Sequence, residues 1–280
     1  MTGEHFFIVG ANGQLGRALR EKYPNARFAD IGKLDITNHR SVESFDWSGI
    51  KVILNAAAYT NVDGAEAPEG RIAAWKVNAE AIGNLVAVIN KHDMTLVHIS
   101  TDYVFDGTRD NHTEEEPFSP LSVYGATKAA GDLLAATVDK HYILRTSWVI
   151  GEGNNFVRTM LSLAKKGISP TVVADQIGRL TFTSELVRAI DHLLSEQTPF
   201  GTYNVSNSGR PASWANIARK IFELGGYNNL TVTDTTTAEY FADKDNIAPR
   251  PLQSTLSLDK LAATGFQSHD WIKDLKLYLS

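Results

Sequence analysis

The 280-residue sequence contains no cysteine. That absence excludes disulfides, thiolate metal sites, iron–sulfur clusters and cysteine nucleophiles together. A chain of this length buries enough apolar surface to do without covalent staples, and a reducing compartment, the cytoplasm, is expected. Strong charge of either sign is also missing. The formal net charge is −5 and the basic residues are scattered, so no nucleic-acid partner is expected. No basic segment with an apolar run and a small-residue cleavage site precedes Phe6-Phe7-Ile8-Val9-Gly10, so no export signal is read. No uninterrupted apolar run approaches the roughly 20 residues of a membrane span, and no membrane association is expected. What is present is ordinary for a globular protein: 43% hydrophobic and 21% charged residues, which argues against disorder or a coiled coil.

Short apolar runs rich in β-branched residues alternate with segments of helical period. The runs are His5 to Val9, Ala26 to Ala29, Val52 to Leu54, Leu96 to Ile99 and Tyr142 to Leu144. Leu15 to Tyr23, Arg71 to His92 and Tyr124 to Thr137 carry the helical spacing. This pattern predicts an α/β fold, a doubly wound, Rossmann-like parallel sheet built by right-handed crossovers. After about Gly151 the connections become rich in Asn, Gly, Pro and Thr, which predicts a smaller, partly discontinuous second lobe.

Gly10-Ala11-Asn12-Gly13-Gln14-Leu15-Gly16 follows the first predicted strand and opens the first predicted helix. Glycine permits a sharp turn and close backbone approach to a pyrophosphate, and free N–H groups at a helix N-terminus favour negative charge. In this context the glycines point to a nucleotide, although a packed turn without a ligand has the same spacing. Asp30 ends the second predicted strand, where an acid accepts hydrogen bonds from an adenine ribose or simply caps a turn. Arg17 or Arg27 would offset its repulsion of a 2′-phosphate. Asp35-Ile36 fits a helix cap and an adenine contact equally well.

Tyr124 and Lys128 lie one helical turn apart on one predicted face. A cation near a phenol is expected to lower its pKa and make it a usable acid or base. Tyr240 and Lys244 share that spacing but lack its setting, so that pair is expected on a surface segment. Thr101 should emerge at the C-terminal edge of the sheet, where open α/β folds bind ligands; a loop-capping hydroxyl is its other reading. Asn55-Ala56-Ala57-Ala58 ends another strand with small side chains that would let a ring or ribose lie close.

Together Gly10/Gly13/Gly16, Asn55-Ala56-Ala57, a strand-end threonine and Tyr124-x-x-x-Lys128 resemble the extended short-chain dehydrogenase/reductase family. Within it, Ser100 to Gly107, Arg145-Thr146-Ser147-Trp148-Val149, Gly153-Asn154-Asn155-Phe156 and Asp175-Gln176-x-Gly178 look like the dTDP-4-dehydrorhamnose reductases. The resemblance implies NADPH or NADH as cofactor and a dTDP-sugar substrate, whose C4 ketone is reduced, with a homodimer possible. It further implies Thr101, Tyr124 and Lys128 as the catalytic group. Gly10, Gly13, Gln14, Leu15, Gly16, Asp30, Asp35, Ile36, Ala58, Tyr59 and Thr60 would bind the cofactor beside Tyr124 and Lys128. Thr101, Asp102, Trp148, Asn155 and Arg250 would bind the substrate. Residues 1–147 with a segment near 171–205 would form the cofactor domain, and 148–170 with 206–280 the nucleotide-sugar lobe. Two other readings stand beside this one: a non-catalytic regulatory subunit of the methionine adenosyltransferase-partner type, and another nucleotide-sugar reductase or epimerase. The chain departs from the resemblance at Gly178-Arg179-Leu180-Thr181, where Gly-x-Pro-Thr is usual, and matches Arg-Pro-x-x-Ser only loosely at Arg250 to Ser254. Some relatives are magnesium-bridged dimers through C-terminal glutamates; Asp274 to Ser280 holds none, so no metal is expected.

Overall fold

Four consecutive buried residues, Phe6–Val9, form β1, as a strand covered on both faces requires. The computed structural model describes residues 3–280. Its first half alternates α1 (Gln14–Lys22), β2 (Arg27–Ala29), α2 (His39–Ser44), β3 (Val52–Asn55), α3 (Pro68–Trp75), a π-helical segment (Lys76–Glu80), α4 (Ala81–Lys91), β4 (Thr95–Thr101), α5 (Val123–Ala135) and β5 (His141–Thr146). The second half is more broken, with β6 (Val149–Ile150), α6 (Phe156–Lys165), β7 (Thr171–Val173), β8 (Ile177–Gly178), β9 (Thr181–Phe182), α7 (Thr183–Ser195), β10 (Gly201–Asn204), β11 (Ala212–Ser213), α8 (Trp214–Leu224), β12 (Thr233–Thr235), α9 (Thr237–Phe241), α10 (Asp259–Ala263) and α11 (Trp271–Leu279).

The main sheet has six strands in the order β10-β5-β4-β3-β1-β2, every neighbouring pair parallel. Phe6 and Ile8 pack on one face with Leu19 of α1 and Leu186 and Ile190 of α7. Phe7 and Val9 pack on the other with Ile82, Leu85 and Ile89 of α4. This is the two-sided burial of a doubly wound, Rossmann-like sheet. The sixth strand was not legible in advance. Gly201-Thr-Tyr-Asn has little apolar pattern, and it is anchored by polar contacts instead: Asn204 N donates to Glu114 Oε1 at 2.8 Å and its amide to His112 O at 3.0 Å.

The chain leaves β1 toward β2 on one side and returns to β3 on the other. Between β1 and β3 the order reverses, and open α/β sheets place ligands at that switch point. Gly10 follows β1 here with φ +74°, and a Cβ on it would lie 2.6 Å from Ala57 N in the loop after β3. Only glycine lets the two loops meet so closely.

The second lobe has its own core, in which Ile150, Val157, Met160, Val172, Leu180 and Phe182 join Ile217 and Ile221 of α8 and Trp271 and Leu275 of α11. The segment near 171–205 therefore divides. Its part up to Phe182 packs in the second lobe, while α7 and Tyr203 pack under the main sheet, where Leu261 and Phe266 from the C-terminal stretch join them. Leu180, at the departure from Gly-x-Pro-Thr, is fully buried in the second-lobe core. Pro68–Lys91 runs as one helix of 24 residues, long and apolar enough to cross a bilayer by length and composition alone. Arg71, Lys76 and Glu80 interrupt it, and Ala81, Ile82, Leu85, Val88 and Ile89 bury its apolar face against the sheet.

Candidate active site

A cleft of about 610 Å³ runs along the C-terminal edge of the sheet between the lobes. Gly13, Gln14 and Leu15 form one wall, Ala58 and Thr60 the floor, and Thr101, Asp102, Tyr124, Lys128 and Trp148 the far wall. A hollow of about 330 Å³ continues it past Gly10 and Gly13 to Asp30, Asp35 and Ile36.

The wall at α1 follows from its N-terminus. Gly13 occupies the cap position without a side-chain cap, so the first helical N–H groups are left for a ligand. Gly16 plays another part: a Cβ there would stand 2.1 Å from Gly10 O, so it lets α1 pack on the turn rather than facing the cleft. Asp30 accepts from Asn12 N at 3.2 Å and from Ile31 N at 2.8 Å, and Asp35 accepts from both Thr37 N and Oγ1. Of the arginines weighed against Asp30, Arg27 is committed elsewhere, to Ser48 O and Asp46 O. Arg17 lines the cleft but is held by Asn12 O and Glu152 O, each at 2.6 Å. Arg20, overlooked in the sequence, lies 4.0 Å over the Phe28 ring. Strand alternation turns Phe28 and Arg27 to opposite faces, which separates the two arginines.

On the far wall, Ser122 caps α5 by accepting from Gly125 N at 3.1 Å. A Cβ on Gly125 would lie 2.2 Å from Tyr103 O, so this glycine lets α5 settle onto the turn after β4 and brings Tyr124 beside Thr101. Thr101 Oγ1 donates to Asp102 Oδ1 at 3.1 Å and accepts from Tyr103 N at 3.2 Å. Lys128, buried, donates to Ile99 O at 2.6 Å. Burial lowers its pKa to about 8, with the Asp132 carboxylate opposing. The expectation that Lys128 lowers the Tyr124 pKa is not met. Burial pushes the phenol above its ordinary value, the Thr101 side chain pulls against it, and Asp102 and Asp132 add to the rise. Tyr124 is consequently a protonated acid at neutral pH. Burial also raises Asp102 to about 6, with the nearby Ser254 and Thr101 side chains pulling it down.

Trp148 stands where the chain crosses between lobes, at φ +48°, a conformation a bulky side chain adopts only when held there. It stacks on Trp214 at 3.7 Å. Three sequence-predicted residues lie differently. Tyr59 is absent from the cleft lining; its backbone is clamped by Asn78, which accepts from Tyr59 N at 2.8 Å and donates to Tyr59 O at 3.1 Å. Asn155 caps α6 and donates to Gly151 O at 2.7 Å and Tyr278 OH at 3.0 Å, so that Asn154, not Asn155, faces the cleft. Arg250 makes a forked pair with Asp63 at 2.8 and 2.7 Å and borders separate surface hollows with Phe241. Tyr240 is exposed on α9, with Lys244 3.9 Å over its ring.

The structure also gathers Glu185, His269 and Asp274, with ligand atoms within 4.8 Å of one another. Their oxygens are engaged within the protein: Glu185 accepts from His269 N at 2.9 Å and from Arg188, and Asp274 accepts from Asn207 at 2.8 Å. Glu185 stands 84 positions before His269, so the sequence gives no spacing signal for the group.

Comparison with known proteins agrees with this fold. The family model described as RmlD substrate binding domain matches residues 4–280. A dTDP-4-dehydrorhamnose reductase of Aggregatibacter actinomycetemcomitans is 40% identical, covering 96% of each chain. A solved dTDP-4-dehydrorhamnose reductase of Clostridium acetobutylicum is 37% identical with a TM-score of 0.90, covering 98% of each chain. Another, from Bacillus anthracis in complex with NADP, is 36% identical with a TM-score of 0.88, covering 98% of this chain and 97% of that one.

Proposed function

This chain belongs to the RmlD substrate binding domain family, and from that membership and the cleft we propose that it is an NAD(P)H-dependent reductase of the C4 ketone of dTDP-4-dehydro-L-rhamnose, forming dTDP-L-rhamnose. The carrying observation is one wall: Thr101, Tyr124 and Lys128 face the same cleft as the uncapped start of α1. A regulatory subunit that only binds has no need of a phenol and an ammonium so placed.

The uncapped α1 terminus, the open face of Gly13 and the Asp30 hollow fit a dinucleotide. Gly13, Gln14 and Leu15 would hold its diphosphate, Asp30 its adenine ribose, Asp35 and Ile36 its adenine, and Thr60 and Lys128 the nicotinamide half. A reduced nicotinamide bound there supplies hydride to the sugar C4 carbon. As the C4 oxygen gains charge, Tyr124 donates its proton to it and Thr101 turns its hydroxyl toward it. Hydrogen bonds that strengthen with developing charge lower the barrier. Lys128, with one N–H on Ile99 O, keeps its remaining N–H groups for the ribose and fixes the ring against the ketone. Asp102 Oδ2 is buried without a partner and offers an acceptor to a sugar hydroxyl, while Trp148 gives the sugar a flat apolar floor.

The test is oxidation of NADPH or NADH by the purified protein with dTDP-4-dehydro-L-rhamnose. Turnover is expected in the wild type, and Tyr124→Phe should lose about 10²–10⁴-fold in kcat while still binding cofactor. Retained turnover in Tyr124→Phe would discard the proposed acid. Tyr240→Phe should behave as wild type.

A further inference from the structure

Behind the catalytic wall lies a buried group of charged and polar side chains that the reaction as written does not use. Asp132 sits one helical turn beyond Lys128 on α5, the spacing at which side chains share a face. Both are at most 2% exposed. Arg145, on β5, donates from Nε to Asp132 Oδ2 at 3.2 Å and from Nη1 to Glu114 O at 3.0 Å. Asp132 Oδ1 has no hydrogen-bond partner and faces His98 Nε2 of β4 at 3.8 Å, an atom equally without one. On its other side His98 Nδ1 lies 3.2 Å from the Asn55 amide at the end of β3. Burial pushes the Asp132 carboxyl above its ordinary value, while the Arg145 charge, the Ser100 side chain and the Lys128 charge pull it back toward the carboxylate, so the two buried groups favour each other's charged forms.

We infer that Asp132 is a positioning residue for the reaction: its half-paired carboxylate, steadied by Arg145, keeps Lys128 an ammonium aimed at the cofactor ribose. The inference rests on the reductase reading for its kinetic consequence, but not for its effect on cofactor binding.

The charges facing Lys128 leave this part to Asp132. His98, from β4, is held neutral by burial, with Lys128 pushing the same way. Arg145, from β5, is a cation and would repel the ammonium; its charge is taken up by Asp132 Oδ2. On α5 itself Tyr124 stays protonated, and Asp102, after β4, acts on the phenol. Among the described residues Asp132 is the one anion that acts on Lys128. Burial alone would drive the lysine toward its neutral form, which holds ribose hydroxyls less firmly and places no charge near the alkoxide.

The test uses the whole protein with Asp132→Asn, Asp132→Glu, Lys128→Met and the double variant Asp132→Asn/Lys128→Met. Cofactor affinity is read from NADPH fluorescence titration, and kcat against pH from NADPH oxidation with dTDP-4-dehydro-L-rhamnose. Asp132→Asn is expected to weaken NADPH binding several-fold, lower kcat about tenfold and move the alkaline limb of the kcat profile down by about one pH unit. Asp132→Glu, which keeps the charge, should hold the limb near its wild-type position. In the Lys128→Met background Asp132→Asn should add nothing to either readout. An unmoved alkaline limb in Asp132→Asn, or effects that add in full on Lys128→Met, would overturn the inference. Should Asp132→Asn fail to fold, Asp132→Asn/Arg145→Met removes both buried charges and is expected to move the alkaline limb the same way by less than one pH unit, because a repelling cation leaves with the anion; an unmoved limb there would overturn the inference. A wild type inactive on the sugar nucleotide would sink the reductase reading, and the titrations would still decide the part played by Asp132.

Discussion

The three glycines of the first turn carry one motif and three separate duties. Gly10 combines φ +74° with a Cβ position 2.6 Å from Ala57 N, so alanine there meets both left-handed strain and unyielding backbone. Gly10→Ala is expected to cost at least about 2 kcal/mol, measured by denaturant unfolding. Gly13 has φ −69° and its nearest neighbour to a Cβ is Gly10 O at 3.4 Å. Gly13→Ala should therefore leave the unfolding midpoint near wild type while its methyl obstructs the diphosphate, a loss read in cofactor titration. Lys128 gives a pH prediction of the same local kind. With its pKa lowered to about 8, kcat should fall as pH rises through that value and the ammonium is lost. Stability should move oppositely. The folded pKa lies below the unfolded value of about 10.4, so between the two the unfolded chain binds more protons and this group adds stability as pH rises. Loss of kcat without loss of structure across pH 8–9, followed by circular dichroism, distinguishes titration from unfolding.

At the scale of elements, the π-helical segment Lys76–Glu80 matters most. It presents Asn78, whose amide holds both backbone groups of Tyr59 and donates to Thr127 Oγ1 at 3.0 Å, while Thr127 donates to Tyr124 O at 2.8 Å. The loop after β3 and the helix carrying Tyr124 and Lys128 are thus tied through one side chain. Gly131 lets α5 lie against that segment, where a Cβ would stand 2.2 Å from Asn78 O. Such local widening of a helix recurs at functional sites. Asn78→Ala is expected to lose about 1–3 kcal/mol by stranding buried polar groups, and to weaken cofactor binding because Ala58 and Thr60 lose their anchor. Sequence periodicity marked Arg71 to His92 as one helix but held no sign of the extra residue in its turn. An asparagine's partner is a matter of what lies opposite it in space.

Across the whole molecule the lobes are joined around the rim of the cleft. Gln14 accepts from Gly151 N at 2.9 Å, Arg17 reaches Glu152, and Arg250 forks onto Asp63. Asp63→Ala should raise KM for the nucleotide sugar several-fold with little change in cofactor affinity, since it loosens the second lobe at a distance from α1. Its stability cost should be about 1–2 kcal/mol, because the carboxylate is part-exposed but also accepts from Ala248 N at 3.1 Å. The same scale explains what could be read in advance. Parallel strands, crossover helices, the glycine turn and the Tyr124/Lys128 pair are local patterns of burial and spacing, and a linear sequence carries them. The sequence alone thus determined the doubly wound sheet and which residue types stand at its edge. Tertiary structure decided that β10 completes the sheet, that residues 171–182 pack in the second lobe, and that Asn155 and Arg250 hold the fold together rather than facing the cleft. It also placed Asp132 behind Lys128 with His98 and Arg145. The reason is physical: periodicity reports which face of an element is buried, whereas the partner of a buried polar group is set by elements far away in sequence that packing brings to within hydrogen-bonding distance.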